Sequence, residues 1–136
     1  MAALVQAGWA PLGVFGLHVV ASRVLFLYVA YPPTDVAMHF LGGIAIAYFL
    51  WRAAVLASQA GPLGTIGRTG LGVMVFGLTC AAAVFWEFAE YLSDRCLGTK
   101  AQLGLEDTLG DMLVGIMGGV AFLLQRFAAR PDQGGR

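Results

Sequence analysis

The stretch Asp35-Val-Ala-Met-His39-Phe-Leu-Gly42-Gly43-Ile-Ala-Ile-Ala-Tyr-Phe-Leu-Trp51 decides the fold. After His39 it continues to Trp51 without a charged residue, and the apolar character extends to about Ala57. A membrane-spanning helix needs about 20 mainly apolar residues, and a segment from Asp35 to Ala57 supplies them. Its acidic residue and its histidine sit at one end, and Arg52 near the other. Thr34, after the Pro32-Pro33 pair, is placed to cap it.

Working outward, three more stretches have the length and character of spans, giving helices at about 11–30, 35–57, 70–92 and 107–128. Tyr31-Pro32-Pro33-Thr34 breaks the first from the second, a Gly/Pro/Ser linker follows the second, and the polar loop Ser93–Glu106 follows the third. Charged residues are 12% of the 136, against about 25% in soluble domains, and the 19 glycines suit membrane helices. The expected fold is all-α: a polytopic membrane protein, one four-transmembrane-helix bundle over residues 1–130 with a disordered tail at 131–136. The N-terminal residues lack a basic region and a small-residue cleavage site, so no cleavable signal peptide is expected. Cys80 in an apolar run and Cys96 in a polar loop lie at different depths and are expected not to pair. The formal net charge is zero, which gives no electrostatic case for nucleic acid.

Arginine and lysine set orientation. Arg52, Arg68, Arg126, Arg130 and Arg136 flank one side, against Arg95 and Lys100 on the other. Both termini are therefore expected in the cytoplasm, in a multi-pass protein of the cell (inner) membrane. Trp9 and Trp51 would mark the inner interface, and Tyr28, Tyr31 and Tyr91 the outer one.

Seven of the eight acidic residues fall at or near the outer ends of three helices. Asp35 and His39 enter with the second, Glu87, Glu90 and Asp94 leave with the third, and Glu106, Asp107 and Asp111 begin the fourth. At about 1.5 Å of rise per residue, His39, Glu90 and Asp111 share a layer roughly 6 Å below the surface, with Glu87 roughly 10 Å down. Arg23 of the first helix reaches a similar depth and is expected to form an ion pair with Glu87. Residues three and four apart share a helix face. From Asp111 that face runs through Gly115, Gly118 and Gly119, and from His39 through Gly42 and Gly43. Small residues line packing faces, so the ionisable groups point inward.

An imidazole with carboxylates from several helices is the composition of a metal site, suited to Zn, Mn, Fe or Mg. His39, Glu90, Asp111 and Asp35 are the expected ligands, with Glu87 or Asp107 as catalytic base. Asp107 is equally a candidate cap for the fourth helix. Haem is disfavoured, because His18 lies some 18 Å deep against roughly 6 Å for His39.

Three readings stay open: a metal-dependent hydrolase or transferase acting on a lipid or lipid-linked head group, a structural or interaction subunit whose polar cluster pins the helices, and a cation or proton transport module, which would need a homo-oligomer.

Asp35-x-x-x-His39-Phe40-x-Gly42-Gly43, Trp86-Glu87-x-x-Glu90, Leu97-Gly98-Thr99 and Asp107-Thr-x-Gly-Asp111-Met112 together resemble the YjdF-like inner-membrane proteins and, more distantly, the VanZ-like membrane proteins. The resemblance spans roughly Asp35 to Gly119. It implies an inner-membrane helical protein with a site at these residues, and does not name an activity. The loop Lys100–Leu105 departs from the usual YjdF-like pattern.

Overall fold

A computed structural model describes residues 2–59, 61 and 64–129. The expected tail at 131–136 and two of the arginines used to set orientation, Arg130 and Arg136, lie outside the described residues. Among them the chain is all helical, in the order α1 (Ala2–Ala7), α2 (Trp9–Val19), a π-helical turn (Val20–Val24), α3 (Leu27–Ala30), α4 (Pro33–Gln59), α5 (Arg68–Leu97) and α6 (Leu105–Ala128). α4, α5 and α6 are long and apolar enough to cross a membrane. Their outward faces carry large apolar side chains such as Phe85, Leu113 and Leu124. Surface of that kind is what lipid-facing helices present.

The helix expected over 11–30 is not continuous. α2 passes into the π-helical turn, closed by the Leu25 N–H on the Val20 carbonyl at 3.0 Å, and Phe26 takes a left-handed conformation with φ 51°. The gain is local and polar: the Tyr28 hydroxyl meets His18 Nδ1 at 2.7 Å. In a straight helix, residues ten apart stand about 15 Å from each other, so only a break joins them. The left-handed conformation costs a non-glycine residue roughly 1–2 kcal/mol. Phe26→Gly is therefore expected to raise the thermal unfolding midpoint in detergent, by about 1 kcal/mol of stability, and Phe26→Val to lower it. Equal midpoints for the two variants would contradict the strain.

Proline and glycine set the other boundaries. α4 begins at Pro33 rather than Asp35, since proline fits the first helical turn. Thr34 does not cap it; its hydroxyl donates back to the Tyr31 carbonyl at 2.7 Å. α5 runs a turn and more beyond Leu92 and stops at Gly98, whose φ of 67° suits a residue without Cβ. Cys80 and Cys96 are free thiols.

α6 packs chiefly on α4, through glycine. A Cβ at Gly43 would collide with the Gly115 carbonyl, and one at Gly118 with the Phe40 carbonyl. At the end of the bundle away from the acidic residues, Ala47, Trp51, Ala54, Leu71, Val75, Phe122 and Leu123 form an apolar cluster. There the Arg126 guanidinium lies over the Trp51 ring at 5.4 Å, and that of Arg68 over Phe127 at 5.1 Å. Arg68 also donates to the carbonyls of Arg126 and Ala129.

Candidate functional site

The backbone contact of Gly43 with Gly115 lies one helical turn from His39 and Asp111, and this sets their separation. With two glycines facing, α4 and α6 close until His39 Nε2 stands 3.3 Å from Asp35 Oδ1 on its own helix and 3.7 Å from Asp111 Oδ2 on the other. These are the ion-pair contacts found among the described residues. Asp35, His39 and Asp111 each offer a ligand atom within 4.8 Å of the other two.

A second group shares the same histidine. Glu87 and Glu90 lie three apart on one face of α5, and with His39 they too offer ligand atoms within 4.8 Å of one another. Glu90 is oriented by the residue four before it, since Trp86 Nε1–H donates to Glu90 Oε1 at 2.9 Å. Glu87 is 5% exposed. Gln102 Nε2 donates to its backbone carbonyl at 3.1 Å and to Oε2 at 3.3 Å. Glu87 Oε1 is buried and has no hydrogen-bond partner among the described residues. His39 thus joins two acidic groups drawn from three helices.

Gln102 reaches Glu87 because Asp94 gathers the loop after α5. Its carboxylate accepts from the Thr99 hydroxyl, from Ala101 N–H at 2.8 Å and from Gln102 N–H at 3.0 Å, and Ser93 bonds Thr99 at 2.8 Å. Asp107 fixes the far end of the same loop, accepting Leu103 N–H at 3.1 Å. It stands outside both ligand groups but lines the cavity that opens onto them.

The expected Arg23–Glu87 ion pair is not made. Depth counting assumed a straight first helix, whereas the break at Phe26 leaves Arg23 exposed on the wall of that cavity. Glu87 meets the neutral amide of Gln102 instead. Sequence reasoning also passed over Gln102, Trp86 and the His18–Tyr28 pair as site-building residues. Only Trp86 left a signal, through its spacing of four from Glu90.

Two cavities adjoin the cluster. One, of about 340 Å³, lies among α2, α4 and α5, touches α6 at Gly115, and reaches His39, His18 and Trp86. The other, of about 970 Å³, is lined by Asp35, Glu90, Asp107 and Asp111 together with Arg23 and Lys100. Such volumes are those of small-molecule sites.

Residues 2–131 match the family described as predicted membrane protein (DUF2238), and the chain belongs to that family. A protein of Thermotoga maritima, described as uncharacterized, is 30% identical over 103 residues, which is 75% of this chain and 52% of that relative. The chain thus spans about half the length of the relative it matches. No solved structure matches. Family membership and the three long apolar helices together make this a multi-pass membrane protein.

Proposed function

We propose that this member of the DUF2238 family is a metal-dependent hydrolase or transferase of lipid head groups, with a divalent cation held by His39, Glu87, Glu90, Asp111 and Asp35. The observation that carries the reading is the Glu87 carboxylate, 5% exposed, with one oxygen unpartnered among the described residues and within ligand reach of His39 and Glu90. A buried carboxylate is costly unless it is paired or coordinates a metal. Zn, Mn, Fe and Mg all fit a mixed nitrogen and oxygen donor set. Such an ion polarises a phosphoryl or carbonyl oxygen and activates water. Asp107, beside the same cavity, is the proposed base. Glu87, weighed as a base from sequence, is proposed here as a ligand. The residues that carry the YjdF-like resemblance are these same ones, and an inner-membrane location is part of the proposal.

A second reading is favoured by the contacts His39 makes with Asp35 and Asp111 at 3.3 and 3.7 Å: the cluster only pins α4 to α6. Elemental analysis and thermal unfolding separate the two readings. The metal reading expects about one equivalent of a divalent ion in protein purified without chelator. It also expects a higher unfolding midpoint on adding metal, about 2.7 kcal/mol of stabilisation at 100 times the Kd. Metal-free protein whose midpoint is indifferent to both metal and chelator would leave only the pinning role.

A further inference from the structure

We propose that the substrate of this site is a single-chain amphiphile with an anionic phosphate head group, its chain lying in the smaller cavity and its head between the metal group, Arg23 and Lys100. The proposal rests on the metal reading above and adds to it the class of molecule that the ion acts on.

The chemistry of the smaller cavity is that of a hydrocarbon slot. Leu12, Phe15, Ile46, Ala82 and Ala83 line it, with Gly42 and Gly43 along α4. Several of its polar atoms have their hydrogen bonds engaged elsewhere. His18 Nδ1 bonds the Tyr28 hydroxyl at 2.7 Å, the Thr79 hydroxyl donates to the Val75 carbonyl at 2.8 Å, and Trp86 donates to Glu90 at 2.9 Å. His18 Nε2 and the His39 ring are its remaining polar groups, and the rest of the lining is chiefly methylene, methyl and ring surface. A polar ligand would have to give up hydration there without replacement, at a cost of several kcal/mol per group.

The larger cavity is the opposite. It shares His18 with the slot, and Asp111 on its wall lies 3.7 Å from His39 at the end of the slot. Its wall carries Arg23 and Lys100, neither of which makes a salt bridge among the described residues. The same wall carries four carboxylates, and neither cation pairs with any of them. Standing apart, they suit an anion that bridges the metal and the two cations, as phosphate oxygens do. Without the ion, those carboxylates repel the same anion, so head-group binding depends on the metal. The head supplies most of the affinity, because a chain moving from lipid into an apolar slot exchanges one hydrocarbon environment for another. The slot decides which phosphate arrives: one that carries a tail.

The test uses full-length protein in neutral phosphatidylcholine nanodiscs loaded with Mn²⁺, with the ion's electron paramagnetic resonance spectrum followed during titration. Dodecyl phosphate is expected to shift the spectrum and saturate, and dodecyltrimethylammonium to leave it unchanged. Inorganic phosphate, which no tail concentrates in the bilayer beside the site, is expected to require a much higher bulk concentration. Arg23→Gln should weaken both phosphates about tenfold, the loss of one charge-assisted contact. Gly42→Leu places its side chain in open space, since a Cβ at Gly42 meets nothing within 4 Å. It fills the slot and should weaken dodecyl phosphate about tenfold while inorganic phosphate binds as before.

Mn²⁺ that binds with no response to dodecyl phosphate would overturn this proposal and leave the metal site standing. So would an equal response to dodecyltrimethylammonium, or unaltered dodecyl phosphate affinity in Gly42→Leu. Protein that takes up no Mn²⁺ would overturn both.

Discussion

Replacing Gly43 by leucine is expected to unfold the bundle or to leave it several kcal/mol less stable, beyond the 1–3 kcal/mol typical of an overpacked core. The reason is what stands opposite. A Cβ there meets the carbonyl of Gly115 and comes within 3.1 Å of the Gly119 backbone nitrogen. Backbone cannot step aside as a flexible side chain can. In a bilayer little hydrophobic force drives helices together, so close backbone packing carries much of the association. Separating α4 from α6 also draws His39 away from Asp111, so the acidic site goes with the fold. The adjacent Gly42 is the built-in control, since its Cβ position is open. Titration with denaturing detergent, followed by circular dichroism, should show a large loss for Gly43→Leu and little change for Gly42→Leu. Equal midpoints for the pair would show that the two helices do not meet as described.

The second large effect concerns the ion. His39→Ala is expected to lower divalent-metal affinity by more than about 100-fold, because even residues that only support a ligand are worth 10–100-fold. The imidazole is the one group common to both acidic clusters, so its removal disables both. Loss of His39 also leaves Asp35 and Asp111 without their shared partner, and some loss of stability is expected with it. Glu87→Gln resolves the ambiguity, since it keeps the side chain's shape and can still meet Gln102. It is expected to fold near the parent midpoint and to bind Mn²⁺ at least tenfold more weakly. Parental Mn²⁺ affinity in Glu87→Gln would remove that residue from the ligand set.

Much of the architecture was legible in the sequence because lipid imposes simple demands. Long apolar runs must be helices, since only helices and closed barrels satisfy the backbone there. The proline pair marks the start of α4, whereas the third helix, read as ending at Leu92, runs on to Gly98. The inward placement of His39 and Asp111 was legible for a related reason: at helical spacing each shares a face with glycines, and small residues mark packing faces. The break at Phe26 left no such trace. Neither glycine nor proline stands there, and the left-handed turn accompanies a hydrogen bond between His18 and Tyr28 that local propensity cannot foresee. The misassigned Arg23–Glu87 pair follows directly, since counting depth along an unbroken helix carries Arg23 to the wrong place. Gln102 was invisible for a different reason. It sits in a loop without periodicity and reaches Glu87 only through the bonds that Asp94 makes to Thr99, Ala101 and Gln102.

That a divalent ion sits among His39, Glu87, Glu90, Asp111 and Asp35 is tested most directly by anomalous diffraction. Crystals of protein purified without chelator and supplemented with Mn²⁺ would be measured above and below the manganese edge. The account predicts an anomalous difference peak within coordinating distance of His39 and of carboxylates from both α5 and α6. Well-ordered density for these side chains with no such peak, at a manganese concentration that saturates other carboxylate–histidine sites, would contradict it.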